Sequence, residues 1–387
     1  MAQASARARV AHVSIVHKAR DIRIFHKECR TLAAAGYEVH LLVPSPSERL
    51  SDGVHFHAIP SLDGITFFWR ALRHLPAIYR DARRLDASIY HLHDPHLIPV
   101  GLLLKRAGAT VVYDAHEDSP RQAISIYAGR PLHGWLHAFI WSLLERLARR
   151  RLDAFVAATP TIGRNFPAAK SVLVRNFPLP EEFSSVLENG HVPYDERPNH
   201  AIYVGGITVA RGIREMVDML DLVPDDLGAR LTLLGEFPRD RPELEGEVRR
   251  RPGWARVSYL GYQPRETVVG ELARSRVGLV VLRPLRNYVE ALPIKLWEYM
   301  AAGIPVIASA FPLWRRIISE AGCGLLVDPT DRRSIADAVA YLLRHPDEAE
   351  VMGRRGREAF QSRYNWRAEG TRLVGLYERL GAQFPAR

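Results

Sequence analysis

Two doubly wound parallel α/β sheets, one in each half of the chain, are what this sequence predicts, and three observations carry that expectation. Short apolar, β-branched runs alternate with longer helix-period segments throughout, the pattern of parallel sheets covered by helices. At 387 residues the chain exceeds the usual size of a single core, so two domains are expected. A stretch rich in Pro, Glu and turn residues, running from Asn176-Phe-Pro-Leu-Pro to Arg197-Pro-Asn-His200, divides the runs into two sets.

The first set lies at 10–16, 38–43, 54–59, 88–92, 110–113, 153–158 and 171–174. The second lies at 201–204, 230–234, 256–260, 277–282, 305–308 and 324–327. The expected layout is therefore a Rossmann-like domain over 1–178, a linker over 179–200, a second Rossmann-like domain over 201–365 and a terminal helix over 366–387 opened by Trp366. Asp331 or Thr330 is expected to cap the helix that follows the final strand. Folds of this kind bind ligands at the carboxyl ends of their strands, so two facing halves are expected to share a cleft there.

Composition narrows the function classes. Hydrophobic residues make up 47% and charged residues 25% of the chain, as in an ordinary globular protein, and no apolar run approaches the ~20 residues of a membrane span. Residues Met1 to Val10 lead directly into a strand and lack the apolar core of a secretory signal, so a cytoplasmic location is expected. Two cysteines, Cys29 and Cys323, far apart in sequence, argue against a disulfide framework or a zinc site built on them. A net charge of +10 implies anionic partners. Without zinc-finger spacing or an aromatic RNA-reading strand, nucleic acid is not expected; a diphosphate ligand or a membrane surface fits better.

The most informative segment is Glu290-Ala-Leu-Pro-Ile-Lys-Leu-Trp-Glu298, followed by Tyr299-Met-Ala-Ala-Gly-Ile-Pro-Val. Pro293 suits the first turn of a helix, Leu296, Trp297 and Met300 give it a packing face, and Gly303 with Pro305 ends it. The start of that helix, Leu292-Pro293-Ile294, is expected to turn its free N–H groups toward an anion. Glu290 then lies on the loop before it and Glu298 about one turn inside. Upstream, Tyr203-Val-Gly205-Gly206-Ile-Thr-Val-Ala-Arg211-Gly212 reads as strand, loop and helix start. Its paired glycines admit a phosphate close to the backbone, within reach of the Arg211 cation. Gly235 and Gly261-Tyr262 close two further strands, and Tyr262 offers a stacking face.

The first half places charged and histidine-rich loops at three strand ends. These are His17-Lys-Ala-Arg20-Asp21-Ile-Arg23, His91-Leu-His93-Asp94 and Asp114-Ala-His116-Glu117. No G-x-G-x-x-G fingerprint follows the first strand, so a dinucleotide site is not expected there. Histidines and carboxylates this dense permit a metal as well as a metal-free site. Asp21 and Arg23 either act in the site or pair to order the helix that follows. The segment His133–Arg151 carries an apolar stripe of Leu136, Phe139, Ile140, Leu143 and Leu147, with Trp135 and Trp141 at its sides and Arg146, Arg149, Arg150 and Arg151 beyond. The stripe is expected to cover the sheet; Trp and Arg so placed also suit an anionic membrane surface.

The glutamate segment resembles the C-terminal motif of the retaining glycosyltransferases of family 4, which have the GT-B fold. The resemblance implies two Rossmann-like domains facing a cleft, with a terminal helix crossing back to the first domain. It also implies transfer of a sugar from a nucleotide-diphosphate donor to a glycan or lipid-linked acceptor, with retention and without a metal or other cofactor. By the same resemblance Glu290 contacts the donor sugar near the reacting carbon, and Glu298 takes the ribose hydroxyls. Gly205, Gly206, Arg211 and Gly235 hold the diphosphate and sugar. Gly261 and Tyr262 meet the nucleobase. The first arginine of the family's diphosphate grip is replaced here by Gly206, and Lys295 is expected to supply the missing cation. His116 lies beside the donor hexose, while His17, Arg20, Asp21, Arg23, His93 and Asp94 lie on the acceptor side. A peripheral position on the inner face of the cell membrane would follow from a lipid-linked acceptor. The rival readings are an epimerase or hydrolase of sugar nucleotides on the same fold, and a non-catalytic nucleotide-sugar-binding protein.

Overall fold

The computed structural model describes residues 7–60, 73–127, 129–184 and 192–383. It divides into two compact units, Met1–Asn176 with Trp366–Arg387, and Phe177–Asn365. Residues 179–184 and 192–200 of the expected linker fall in the second unit. Residues 185–191 of that linker, and 1–6 and 384–387 of the expected first domain and terminal helix, lie outside the described residues.

The first unit is built on eight strands: β1 (Arg7–Val13), β2 (Tyr37–Pro44), β3 (Leu50–Ser51), β4 (Val54–Ile59), β5 (Ile89–Leu92), β6 (Thr110–Ala115), β7 (Ala154–Ala157) and β8 (Ser171–Leu173). Their order is β3-β4-β2-β1-β5-β6-β7-β8. All pairs are parallel except β3 with β4. The two-residue strand β3 was not expected, being too short to carry an apolar period. Strands β5, β6 and β7 are buried along their whole length, which is why they lack the alternation of apolar and polar residues that a one-sided strand shows.

The second unit holds six parallel strands, β9 (His200–Val204), β10 (Arg230–Leu234), β11 (Val257–Gly261), β12 (Val277–Val280), β13 (Val306–Ser309) and β14 (Gly324–Val327), in the order β11-β10-β9-β12-β13-β14. The sheet reverses direction of growth between β9 and β12, and in such sheets the crevice at that point takes the ligand. Tyr299 stitches the point together: its ring packs where a Gly278 side chain would begin, and its hydroxyl accepts from Val204 N at 3.2 Å. Asp331 caps the following helix by accepting from Arg333 N at 2.9 Å.

The chain returns to the first unit in the helix Trp366–Gln383. Trp366 Nε1 donates to Thr31 Oγ1 at 2.8 Å, and buried Glu369 accepts from Arg175 N at 2.9 Å and Arg175 Nη2 at 2.7 Å. Among the described residues no helix is long and apolar enough to cross a membrane.

The helix Pro131–Arg151 departs from expectation. Its buried residues are Gly134, His137, Ala138, Trp141, Glu145 and Ala148. The expected stripe faces the other way: Leu136, Phe139, Leu143 and Leu147 are exposed. Small residues let the helix lie close to its neighbours, with Gly134 against Ala123 and Tyr127. His137 stacks on Tyr127 with centroids 4.8 Å apart, and Trp141 meets His96 edge-on at 4.7 Å.

Candidate active site

In the second unit three glycines at adjacent strand ends bring backbone against backbone. Gly205 N donates to Leu234 O and Gly235 N to Gly261 O, both at 2.8 Å. A Cβ on Gly235 would stand 2.0 Å from Gly205 O, and its φ of 146° already lies where other residues rarely go. The sequence-predicted residues Gly205, Gly235 and Gly261 are thus neighbours. Gly206 follows directly, and its carbonyl accepts from the Tyr203 hydroxyl at 2.9 Å.

Two cations converge on this glycine loop. A side chain starting at Gly205 would begin 3.1 Å from Lys295 Nζ, and one at Gly206 would begin 3.0 Å from Arg211 Nη1. Lys295 is 9% exposed, its Nζ has no hydrogen-bond partner, and it lies 3.6 Å from the Tyr203 ring centroid. Burial, and then the Arg211 charge, push its ammonium well below the usual lysine range. A buried cation beside a second cation and a side-chain-free loop is a site built for an anion.

Lys295 stands on the helix Ile294–Ala302. Pro293 is its N-cap, extended at ψ 131°, so the helix opens one residue later than the expected turn at Leu292-Pro293-Ile294. Leu292 and Pro293 therefore precede the helix. Proline has no N–H to give, and Leu296 N already bonds Pro293 O at 3.1 Å; the N–H groups at the start are those of Ile294 and Lys295. The loop ahead is held by Trp314 Nε1, which donates to Ala291 O at 2.7 Å. Glu290 is exposed at the end of the short turn Arg286–Val289. Glu298 is buried, and Arg265 Nη1 reaches its Oε1 at 2.6 Å. Arg265 also donates to Glu182 Oε2 at 2.6 Å. Arg265 was missed because nothing local marks an arginine at a helix start as the partner of a glutamate on another helix. Tyr262 projects with 74% of its surface exposed.

In the first unit the structure brings His17, His93, Asp94 and His116 together. His17 Nδ1 lies 3.3 Å from Asp94 Oδ1, and the His17 and His116 rings are 5.3 Å apart. Asp94 accepts from Ser14 Oγ at 2.9 Å and from Ile15 N at 2.7 Å. Burial would lower the His17 imidazole, but the Asp94 carboxylate more than reverses this and raises it.

Beneath these lies a buried layer that the sequence reading only touched. His12 Nδ1 is 2.9 Å from His93 Nε2, and the Tyr377 hydroxyl is 2.7 Å from His91 Nδ1 and 3.2 Å from His12 Nε2. Burial pushes His93 down to about 4 and His12 and His91 well below the histidine range, so the three rings are neutral. His116 Nε2 lies 3.0 Å from Asp114 Oδ2. Arg23 donates through Nη2 to both Asp114 oxygens at 3.1 Å, and its Nε is 2.9 Å from Glu28 Oε1.

Arg20 is not part of this group; it pairs with Glu48, its Nε donating at 2.9 Å. Asp21 does not pair with the Arg23 side chain either. Its Oδ1 accepts from Arg23 N at 2.8 Å and Ile24 N at 2.9 Å, which caps the helical turn Ile24–Cys29, while the Arg23 guanidinium turns inward to Asp114. Arg23 and Asp114 order the layer from which His116 rises.

Two α/β sheet units, the second with a glycine loop at its strand ends, paired cations beside that loop, Glu290 before the Ile294–Ala302 helix and Glu298 inside it, define a glycosyltransferase of the GT-B class. The comparisons agree. Residues 23–190 match Glycosyltransferase Family 4 and residues 190–359 match Glycosyl transferases group 1, so the chain is a family 4-like glycosyltransferase of the GT-B class. An alpha-D-kanosaminyltransferase from Streptomyces kanamyceticus is 27% identical over 48% of this chain and 47% of its own length. A phosphatidyl-myo-inositol mannosyltransferase from Mycobacterium leprae is 26% identical over 90% of this chain and 89% of that protein. The chain thus spans about half of the first relative and nearly all of the second. The solved sucrose-phosphate synthase from Thermosynechococcus elongatus has a TM-score of 0.77 at 20% identity and covers 97% of this chain and 100% of its own, a likeness of fold.

Proposed function

We propose that the protein transfers a hexosyl or N-acetylhexosaminyl group from a nucleotide-diphosphate sugar to a glycan or lipid-linked acceptor, in the cytoplasm and with retention of configuration. The observation that carries the donor side is Lys295, a buried ammonium without a hydrogen-bond partner, set with Arg211 against the Gly205-Gly206 loop. A departing diphosphate supplies the charge these groups lack. In this reading Glu290 orients the donor sugar and offsets positive charge at its anomeric carbon. Glu298, fixed by Arg265, accepts from two ribose hydroxyls. Gly261 and Tyr262 meet the base, His116 meets the hexose, and His17, His93 and Asp94 lie on the acceptor side. Retention is supported by the resemblance of the Glu290 to Glu298 segment to the retaining enzymes. A lipid-linked acceptor is supported by the relative named for phosphatidyl-myo-inositol. No divalent ion enters the proposal, because Asp114 is already the counter-ion of Arg23 and the diphosphate has Arg211 and Lys295.

The test is a thermal-shift panel of nucleotide sugars, followed by transfer with the stabilising donor and NMR of the product anomer. A ligand at 100 times its dissociation constant adds about 2.7 kcal/mol, a readily measured shift. Turnover is expected to survive a strong chelator. Loss restored by manganese or magnesium would make metal ligands of His93, Asp114 and His116, whose facing atoms lie 3.0 to 3.5 Å apart. An inverted product would remove the retaining assignment.

A pH dependence follows from Lys295. Its pKa is depressed in the free protein, and a bound diphosphate raises it, so binding takes up a proton at pH values between the two. Nucleoside diphosphate affinity is therefore expected to fall as pH rises through that window. Calorimetry in buffers of different ionisation heat measures the uptake directly, and Lys295→Met should abolish it. A wild-type protein that binds without proton exchange would mean that Lys295 does not face the diphosphate.

A further inference from the structure

The helix Pro131–Arg151 presents an apolar face that none of the described residues of its own unit covers. Leu132 is 83% exposed, Trp135 65%, Leu136 54%, Phe139 67% and Leu143 47%. At 3.6 residues per turn these side chains fall on one stripe, and the buried residues Gly134, His137, Trp141, Glu145 and Ala148 fall opposite. The same stripe continues past Leu143 into exposed Arg146 and Arg150, with exposed Arg151 beside them. A soluble surface helix has the reverse arrangement, with its apolar side inward.

Charge chooses among the covers this face could take. Between residues 119 and 152 there are six arginines and a single acid, Glu145. That acid lies on the buried side, where burial raises its carboxyl to about 7. Among the helix's own residues the outer face therefore carries apolar and cationic side chains and no acid, with a tryptophan and a phenylalanine among its largest groups. A second copy of the chain would bring the same positive charge against itself. An anionic bilayer brings the complement: acyl chains for Leu132, Trp135, Leu136 and Phe139, and headgroup phosphates for the arginines.

We propose that this helix lies in the plane of an anionic membrane surface with its apolar stripe in the headgroup boundary. The docking stands on the helix alone. Its consequence, that the acceptor is carried on a lipid, rests on the proposed transfer.

The test is flotation of the full chain with phosphatidylcholine vesicles, with and without about one third phosphatidylglycerol, in low and high salt. The wild type is expected to float with the anionic vesicles and to release as salt rises. Phe139→Glu and the triple change Arg146→Glu, Arg150→Glu, Arg151→Glu are each expected to reduce partitioning by about tenfold or more. Arg149 is left intact because its Nη1 donates to Asn165 O at 2.7 Å and serves the fold. Thermal melts and nucleoside diphosphate binding are measured on the same proteins and should stay at wild type. Brominated lipid should quench exposed Trp135, and Trp135→Phe should remove most of that quenching. Three results overturn the proposal: no flotation of the wild type, flotation that ignores both variants, or a wild-type dimer that Phe139→Glu converts to monomer. Vesicle binding without nucleotide binding would sink the transfer reading and leave the docking in place.

Discussion

Removing both acids that face Arg23, by Asp114→Asn together with Glu28→Gln, is expected to destabilise the protein by about 3–5 kcal/mol, the usual loss when a buried charge is left without a partner. Arg23, Glu28 and Asp114 are all almost fully buried. Burial would raise the Asp114 carboxyl, but Arg23 and then His116 hold it well below the usual range. Glu28 goes the other way: burial first, then the Asp114 charge, push it well above 4.5. One carboxylate and one neutral acid therefore share a single guanidinium. With Asp114 neutralised, Glu28 lies 2.9 Å from Arg23 Nε and can ionise in its place. Each single change should cost much less than the pair, so the double-mutant cycle is strongly non-additive.

The sign with pH follows from the same two groups. The contribution of Asp114, whose folded pKa is depressed, is present above its unfolded value and lost as pH falls through the folded one. That of Glu28, whose folded pKa is raised, is fully present below about 4.5 and lost as pH rises through its folded value. Glu28→Gln alone should thus be nearly neutral in acid and relatively stabilising at higher pH. Urea titrations across pH measure both effects. Additive losses in the cycle would mean that the two acids do not substitute for one another.

Glu290→Ala is expected to lower turnover by about 10²–10³-fold, the scale set by removing one group aimed at transition-state charge, and to leave donor affinity nearly unchanged. Glu290 is exposed at the end of the Arg286–Val289 turn, four residues before the helix that carries Lys295. In the proposed transfer a carboxylate there meets full positive charge only as the bond to the diphosphate breaks, so its loss is expected in turnover and not in binding. Single-turnover kinetics beside donor calorimetry separate the two. Near-normal turnover with weakened donor binding would assign Glu290 to the ground state.

What could be read in the sequence was what local chemistry enforces. Gly205, Gly235 and Gly261 announce strand ends because each takes a positive φ that other residues rarely adopt, and at Gly235 a Cβ would also strike Gly205 O. Glu290 and Glu298 stand in a segment whose helix start and stop are written beside them, although Pro293 moved the start by one residue. The pairings that finish the site were not legible, since they join distant segments. Arg265 to Glu298 and Arg23 to Asp114 each join elements that nothing local connects, and of the two readings open for Asp21 and Arg23 the side-chain pairing did not form, because a buried carboxylate took the guanidinium while Asp21 capped the helix start. The helix over 131–151 misled for another reason. Its periodicity shows that one side is apolar but not which side faces the protein, and glycine and alanine on the opposite side allowed the closer packing.

The bonds of Tyr377 to His91 and of Glu369 to Arg175 carry a consequence for biosynthesis. The chain leaves the first unit after Asn176 and re-enters it at Trp366, so a ribosome delivers all of the second unit before the first has its full set of residues. Until the stretch through Tyr377 emerges, the histidines of β1 and β5 lack the hydroxyl that caps them. The second unit can fold as it appears, whereas the first must wait with part of its core open, the interval in which a nascent chain is most exposed to aggregation.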